Sequence, residues 1–247
     1  MDERAGPTTV HSRTYTNTLT NTHCLRKHAT QLAALAGQRA QMQPSDLHIE
    51  HVSDLHPQKD TMDALELLRT RASNGKLTEP EPDAETLRFA LEAAARAPDH
   101  QSLRPWRVHF VRGEARNKLG ELMAACARKQ KPGLSAEELD KTRGKALRAP
   151  LIIVVSALVQ PHPKVPPIEQ ILAAGAAAQN ILLALHARGF SAMWRTGGPA
   201  YDPDLKRAFG LKADDAVVAF IYAGTAKQPA PPMQRPSPDD FAREWSG

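Results

Sequence analysis

Charged and hydrogen-bonding side chains crowd the short stretch between Ala95 and Trp106, which separates an alanine-rich segment from an alternating one. The stretch contains two arginines, an aspartate, a histidine and a serine: Arg96, Asp99, His100, Ser102 and Arg104. A connection that only turns the chain more often uses Gly, Asn or Asp. A loop so rich in donors is suited to an anionic ligand, or to one rich in acceptors.

Two further polar groups stand at the ends of predicted elements. Arg71 and Ser73 follow a predicted helix, where a guanidinium and a hydroxyl can hold two phosphate oxygens. The residues alone favour a simpler role for Arg71, a solvated side chain that interacts with the helix dipole. Trp194, Arg195 and Thr196 end a predicted strand and lead into Gly197 and Gly198, whose missing side chains let the backbone approach a flat ligand.

Common catalytic motifs are missing from this sequence. No G-x-G-x-x-G follows a predicted strand, and no P-loop, H-E-x-x-H or G-x-S-x-G motif occurs. Arg, Ser, His and Trp scattered on loops favour noncovalent binding of a planar, phosphorylated cofactor whose own ring does the chemistry. We therefore predict no catalytic side chain and no metal ligand set.

Apolar periodicity from Met62 onward predicts four strands and about six helices. The strands are residues 106–111, 151–155, 189–194 and 216–222. The helices begin after Asp63, after Asp83, at Glu114, after Ser135, at Ala173 and after Asp202. Residues 151–155 form a continuous apolar run, mostly β-branched, which is typical of a strand buried on both faces. The mixture indicates an α+β layered domain.

Composition and charge limit the class of protein. Apolar residues make up 41% and charged residues 24%, as in ordinary globular proteins. The longest apolar run, residues 149–159, is too short to cross a bilayer, so no transmembrane helix is expected. Cys24 and Cys126 form no metal or disulfide pattern, which favours a reducing cytoplasm. The net charge of +5 suits small anionic ligands but is too weak to indicate nucleic acid by itself.

The first 61 residues differ from the rest. They are polar, rich in Thr, Gln and His, and largely without apolar periodicity. We expect a disordered extension, or sequence upstream of a true start at Met62. Residues 25–42 could form one amphipathic helix, and a metal site among the irregularly spaced histidines is the weaker alternative. Residues 62–247 then form one domain, with a proline-rich tail from about residue 228.

Four motifs resemble, in order and spacing, those of the nitroreductase family of FMN enzymes, and more narrowly its small YdjA-like NAD(P)H nitroreductases. The first is Met62-Asp63-Ala64-Leu65-Glu66-Leu67-Leu68 followed by Arg71-Ala72-Ser73. The others are Arg96-Ala97-Pro98-Asp99-His100 with Pro105-Trp106, Lys164-Val165-Pro166 with Glu169-Gln170, and Trp194-Arg195-Thr196-Gly197. The resemblance covers about residues 62–240 and leaves the first 61 unmatched.

The resemblance implies a central mixed or antiparallel sheet flanked by helices, in a homodimer with FMN at the subunit interface. By this resemblance FMN contacts Arg71, Ala72, Ser73, Arg96, His100, Trp194, Arg195 and Thr196. Arg96 and His100 would come from the neighbouring subunit. Family members often carry a second arginine where Ala72 stands, and many relatives outside the YdjA-like branch carry an acid where Arg195 stands.

A weaker match concerns the nicotinamide nucleotide. The corresponding residues are Ala184, Leu185, His186, Ala187, Arg188 and Gly189. Their alternative interpretation, a buried helix end with Gly189 as the cap, is at least as well supported by the residue types. Trp106 is likewise better explained as a core residue at the start of a strand than as a cofactor contact.

The activity implied is transfer of hydride from NAD(P)H through bound FMN to a nitroaromatic, quinone or similar acceptor. A non-catalytic FMN-binding or flavin-carrier protein is the alternative, because its cofactor contacts would look the same. Neither a nucleic acid nor a membrane is expected as a partner.

Overall fold

The computed structural model describes residues 62–247. The predictions made for residues 1–61, namely the disordered extension, the amphipathic helix and the histidine metal site, lie outside the described residues.

Seven α-helices and five strands make up the described part of the chain. The helices are α1 Ala64–Thr70, α2 Ala84–Ala94, α3 Glu114–Gln130, α4 Ala136–Arg143, α5 Pro167–Ala187, α6 Gly198–Tyr201 and α7 Pro203–Ala208. The strands are β1 Leu77–Thr78, β2 Trp106–Arg112, β3 Leu151–Ala157, β4 Ser191–Arg195 and β5 Ala216–Ala226. Single 3₁₀ turns occur at His100–Ser102, Gly144–Leu147 and Pro238–Asp240.

Side-chain caps fix the starts of several helices. The Asp63 carboxylate accepts a hydrogen bond from Leu65 N at 2.9 Å, and the Asp83 carboxylate accepts one from Thr86 N at 2.8 Å. Ser135 and Glu138 form a reciprocal capping box at the start of α4. Such caps satisfy backbone donors that have no partner within the helix. The predicted starts of these helices are therefore confirmed.

The sheet is built around β5. On one side β5 pairs with β3, which in turn pairs with β2. On its other side β4 pairs with residues 220–224 and β1 pairs with residues 225 and 226, so β4 and β1 lie one after the other along the same edge. All of these ladders are antiparallel, and one isolated parallel bridge joins Ser73 to Ala192 of β4.

Apolar cores lie on both faces of the sheet. Leu151, Ile153 and Val155 of β3 pack in a cluster with residues of α2 and α5. The alternate residues Ile152 and Val154 pack in a second cluster with residues of α3 and α7. Successive strand residues point to opposite faces, so β3 must be apolar at every position. Every residue of β3 is buried, as predicted.

Helix α5 is the long element of the first core. It begins at Pro167, six residues before the predicted start, because proline is tolerated in the first turn of a helix. It is long and apolar enough to cross a membrane by length and composition, and half of its most apolar window is buried inside the protein. Its buried face includes Ala177, Ile181 and Leu185, which pack on the sheet.

Close packing of α3 on α4 generates a stability prediction. A Cβ added at Gly120 would stand 2.7 Å from the carbonyl oxygen of Arg143, and backbone cannot easily move away. We expect Gly120→Ala to lower the free energy of unfolding by about 1–3 kcal/mol, as overpacking does. Equilibrium unfolding in urea measures this change.

Gly144→Ala is the matched control. Gly144 has a helical φ of −58°, and a Cβ there meets nothing within 4 Å. Its unfolding free energy should stay the same or rise by about 0.4–1 kcal/mol, because alanine restricts the unfolded chain. Equal stability of the two variants would contradict the proposed close contact at Gly120.

Candidate functional site

A cavity of about 520 Å³ lies at the end of β4. This volume is within the range of small-molecule sites in proteins. Trp194, Arg195 and Thr196, all predicted site residues, line it together with the loop that follows. The remaining lining residues come from α3, from the region around the 3₁₀ turn before β3, and from β5: Met123, Ala127, Gln130, Thr142, Lys145, Arg148, Phe220 and Tyr222.

The sheet and the turn after β4 shape this cavity. Trp194 and Arg195 pair with Ile221 and Phe220 of β5, so the end of β4 is held in place. Gly197 then adopts a φ of +100°, in the left-handed region that favours glycine. Helix α6 begins directly afterwards, where only a turn was predicted. At Gly198 the end of the Gln130 side chain occupies the space that a Cβ would need, so these two residues pack closely.

The cavity is electropositive. Its lining includes Lys145, Arg148 and Arg195 and no acidic residue. The Arg195 guanidinium lies 5.9 Å from the centre of the Tyr222 ring. Burial raises the pKa of the Tyr222 phenol, while Arg195 and Arg148 oppose that rise, so both guanidinium groups act on the same buried ring. Such a cavity is suited to a flat ligand that carries or acquires negative charge.

The segment after α1 runs along the outer edge of β4. Asn74 N donates to Ala192 O at 3.1 Å, beside the bridge between Ser73 and Ala192. The next residue, Gly75, faces Met193 and the Arg195 guanidinium. The predicted phosphate-binding residues Arg71, Ala72 and Ser73 are therefore attached to the same strand whose end lines the cavity.

Arg71 has an unusual environment for a cation. Burial and, next, the nearby charge of Arg235 lower the pKa of Arg71. Arg235 Nη2 also donates to Arg71 O at 3.3 Å. Neither arginine takes part in an ion pair described for residues 62–247. Two neighbouring guanidinium groups without an acid fit a phosphate, which would compensate both charges.

The tail arginine also bears on Ala72. Ala72 is half-buried and supplies no guanidinium. By the resemblance, family members often carry a second arginine at this position. Arg235 comes from the proline-rich tail and places a second guanidinium next to Arg71. Arg235 lies outside the four motifs, 164 residues from Arg71 along the chain, and the sequence offered it only as a tail cation that could add to the phosphate site.

Arg96 and His100 lie elsewhere on the chain. His100 Nδ1 is 2.7 Å from Glu169 Oε2, in the first turn of α5, and Arg96 is exposed. Arg71 instead acts on the pKa of His186, in the last turn of α5. At 1.5 Å per residue, Glu169 and His186 stand about 25 Å apart along the helix. Within one chain the structure therefore does not bring His100 together with Arg71.

The loop around His100 holds an uncommon backbone. Gln101, Ser102 and Arg104 have φ values of 61°, 53° and 49°, although none of them is glycine. The Asp99 carboxylate accepts a hydrogen bond from Arg104 N at 2.6 Å and thus stabilises this conformation. Non-glycine residues in this region are a few per cent of all residues and often mark functional loops. Trp106, at the loop's end, packs against the first core as predicted.

Residues 184–189, the weaker predicted nicotinamide contact, form the end of α5. Ala184 and Leu185 are buried, and Gly189 has a φ of +79°. Gly189 N donates to His186 O, and Phe190 N donates to Leu185 O, each at 2.9 Å. These two bonds form a Schellman motif.

The remaining side chains of this segment also have partners. Arg188 lies 3.3 Å from Glu85 and 4.8 Å from the centre of the Phe89 ring, and Ala187 is half-buried. Most residues of the segment thus have a structural role, and its role toward a nucleotide stays a prediction.

Several residues of this region were not predicted. Asn74, Gly75, Arg148 and Tyr222 all contribute to the cavity or to its edge. An Asn-Gly pair in a sequence normally indicates a turn. Arg148, two residues before Pro150, belongs to no recognisable motif. No cluster of three metal-ligating side chains occurs among residues 62–247.

Comparison with known proteins gives a match that lies within the described residues. The family model described as "Nitroreductase family" matches residues 68–225. "Putative NAD(P)H nitroreductase YdjA" of Escherichia coli K12 is 40% identical over 164 residues, which are 66% of this chain and 88% of that protein. "Putative NAD(P)H nitroreductase" of Haemophilus influenzae is 42% identical over 170 residues, which are 68% of this chain and 91% of that protein.

A solved structure adds a similar fold. A "putative nitroreductase in complex with fmn" from Desulfovibrio desulfuricans is 26% identical, with a TM-score of 0.57. The match covers 74% of this chain and 97% of that protein.

His186 provides a pH-dependent prediction. The Thr70 hydroxyl donates its single hydrogen to Glu66 O at 2.7 Å, so it must accept from His186 Nε2, 3.0 Å away. Burial, followed by the charge of Arg71, lowers the pKa of His186. The unfolded chain therefore binds this proton more readily, and folding loses stability as pH falls below the ordinary histidine pKa of about 6.5.

We expect His186→Gln to reduce this loss. Glutamine keeps an N–H donor for Thr70 but cannot be protonated. Thermal unfolding between about pH 7.5 and about pH 5 should show a smaller fall in Tm for the variant than for the wild type. Parallel Tm curves would show that His186 is not held neutral in the folded protein.

Proposed function

Because the chain belongs to the nitroreductase family, we propose that it is an FMN-dependent oxidoreductase that takes hydride from NAD(P)H and passes it to a small-molecule acceptor. The relatives are named as NAD(P)H nitroreductases, and the solved neighbour holds FMN. The observation that carries the proposal is the edge of β4, where the segment of Arg71 and Ser73 is attached to the strand whose end lines an electropositive cavity. Residues 62–247 form the proposed flavin-binding domain.

The phosphate end of the cofactor is assigned to the segment after α1. Arg71, joined by Arg235, supplies guanidinium donors, Ser73 supplies a hydroxyl, and Ala72 supplies backbone. Arginine suits this role because its planar fork matches the geometry of phosphate oxygens. Arg235 from the tail takes the place of the arginine that family members often carry where Ala72 stands.

The ring end is assigned to the cavity at the end of β4. Trp194 shapes it, Thr196 and the glycines bring backbone close to the ring edge, and Arg195 and Arg148 supply positive charge. The bound flavin itself accepts and releases the hydride. The protein side chains orient the reactants, exclude water and stabilise negative charge on the ring, so no protein nucleophile is proposed.

A homodimer explains the separated halves of the site. Glu169, the partner of His100, and His186, the neighbour of Arg71, stand about 25 Å apart along α5, so one chain keeps the two groups apart. Arg96 and His100 of a second copy are therefore proposed to complete the site. Helix α1 supports this, because it has no buried residue while Leu65 and Leu68 are 60% and 64% exposed. A helix of seven residues needs packing to be stable.

The acceptor is proposed to be a nitroaromatic, a quinone or a similar small molecule, since it must approach the ring within the same cavity. We also propose a cytoplasmic location, because Cys126 is free and buried and the cysteines of the sequence form no disulfide framework.

Arg71→Ala tests the phosphate assignment. A charged hydrogen bond to phosphate contributes about 1.5–3 kcal/mol, so we expect the FMN dissociation constant to rise about 10- to 100-fold. Fluorescence titration of flavin-free protein measures this constant. Arg69→Ala, an exposed arginine in the last turn of the same helix, is the matched control and should bind FMN like the wild type.

Measurement of catalytic turnover distinguishes the proposed oxidoreductase from a flavin-carrier protein. The wild type should purify with flavin absorbance and oxidise NADH or NADPH when a quinone or nitroaromatic is supplied. Bound flavin with no turnover for any acceptor would favour a flavin carrier. Unchanged FMN affinity in Arg71→Ala would remove that residue from the site.

Mixing two variants with weakened FMN binding tests the shared site. Arg71→Ala and His100→Ala each damage both sites of their own homodimer. In a mixed dimer, however, one site combines intact Arg71 with intact His100. After random exchange, about one quarter of all sites should recover wild-type FMN affinity, because half the dimers are mixed. No recovery, in a mixture shown by sedimentation to have exchanged, would place both residues in one subunit's site.

A further inference from the structure

A second cleft adjoins the proposed ring cavity and carries four cations. It has a volume of about 580 Å³ and is lined by Gly75, Lys76, Leu77, Arg148, Arg195, Lys227 and Gln228. We call it the basic cleft. Arg148 and Arg195 line both the basic cleft and the ring cavity, so the two spaces share a wall. A ligand in one can therefore extend toward the other.

The charges of the basic cleft are uncompensated. No Asp or Glu lines it. None of its four cations takes part in an ion pair described for residues 62–247. Like charges held together repel, so an arrangement of this kind favours an anion that relieves the repulsion.

Backbone pairing holds the two lysines side by side. Lys227 N donates to Lys76 O at 2.9 Å, next to the pair formed by Leu77 and Ala226. Their positions are thus fixed by the edge of the sheet, although both side chains are exposed. Lysine acts on a phosphate as a point charge, whereas arginine adds a fork of donors.

Gly75 makes room for the third cation. A Cβ at this position would stand 3.3 Å from Arg195 Nη2 and 3.0 Å from the Met193 sulfur. The absence of a side chain lets the Arg195 guanidinium fold back from the end of β4 into the cleft. Arg195 therefore lies between the ring cavity and the basic cleft and faces both.

We propose that the basic cleft binds the phosphates of the nicotinamide dinucleotide and makes the protein prefer NADPH to NADH. The inference rests on the proposed oxidoreductase function and names its electron donor. NADPH carries one more phosphate than NADH, a monoester with a charge of about −1.5 to −2 at pH 7. Four cations without an acidic partner therefore attract NADPH more strongly than NADH. Arg71 and Ser73 remain available for the flavin phosphate.

The test is the double variant Lys76→Met, Lys227→Met, which removes two charges but keeps long side chains. For the wild type we expect kcat/KM to be about tenfold or more higher with NADPH than with NADH. The double variant should lose about tenfold with NADPH and less than about threefold with NADH. Flavin content is measured in the same samples. The NADPH preference should also weaken as ionic strength rises.

Lys212→Met is the matched control. Lys212 is exposed and lines none of the cavities described here, and its substitution should leave the NADPH preference at the wild-type ratio. A double variant with the full wild-type preference would overturn the inference. Loss of flavin together with an equal loss for both dinucleotides would also overturn it, because the cleft would then serve FMN.

Direct binding distinguishes this inference from the proposed function. Calorimetric titration of the flavin-loaded protein with NADP⁺ and NAD⁺ needs no turnover. Tighter binding of NADP⁺, lost in the double variant, would support the cleft even if no acceptor were reduced, in which case only the oxidoreductase function would fail. Equal affinity of the wild type for both dinucleotides would overturn the cleft and leave the flavin chemistry untouched.

Discussion

Asn74 holds the functional region together. It is 3% exposed, and its backbone N–H donates to Ala192 O of β4 at 3.1 Å. Its side-chain amide donates to Gln228 O at 2.8 Å, and its side-chain oxygen accepts from Lys76 N at 3.0 Å. One buried residue therefore ties the segment after α1 to the outer edge of β4 through its backbone, and to the chain that leaves β5 through its side chain.

Because of this attachment, one segment of the chain positions both the residues proposed for the flavin phosphate and a lysine of the basic cleft. Arg71 and Ser73 precede Asn74, while Lys76 follows it, and all three sit on a segment fixed to the sheet. A buried amide with its hydrogen bonds satisfied is stable, whereas one left unsatisfied destabilises a fold by about 1–3 kcal/mol. The positions of the residues proposed to bind phosphate and of the basic cleft thus depend on the same few hydrogen bonds.

Most helices and the longer strands could be predicted from the sequence, because local apolar patterns and capping residues determine them. The run at β3 must be buried on both sides, and α3 begins at its predicted residue. Strand β1 was missed because two residues give no periodicity, and it exists only through pairing with β5. The left-handed backbone at Gln101, Ser102 and Arg104 was also unpredictable, since residues of these types rarely adopt it. Site residues at element ends were predicted through a resemblance to motifs. Arg148, Lys227 and Arg235 reach the same region only through tertiary contacts.

Helix α5 connects the chemistry of the proposed site to association. Its first turn holds His100 through Glu169, and its last turn lies beside Arg71 through His186, so it works as a spacer within one chain. Ile168 and Leu172, near the first turn, are 57% and 63% exposed, although the other face of the helix is buried in the core. Exposed apolar side chains of this size favour contact with another surface. In the proposed dimer that surface belongs to a second copy, and the spacer then places His100 of one subunit at the flavin of the other. The same apolar faces that drive association would thus complete the cofactor site, and flavin binding would in turn stabilise the dimer by linkage.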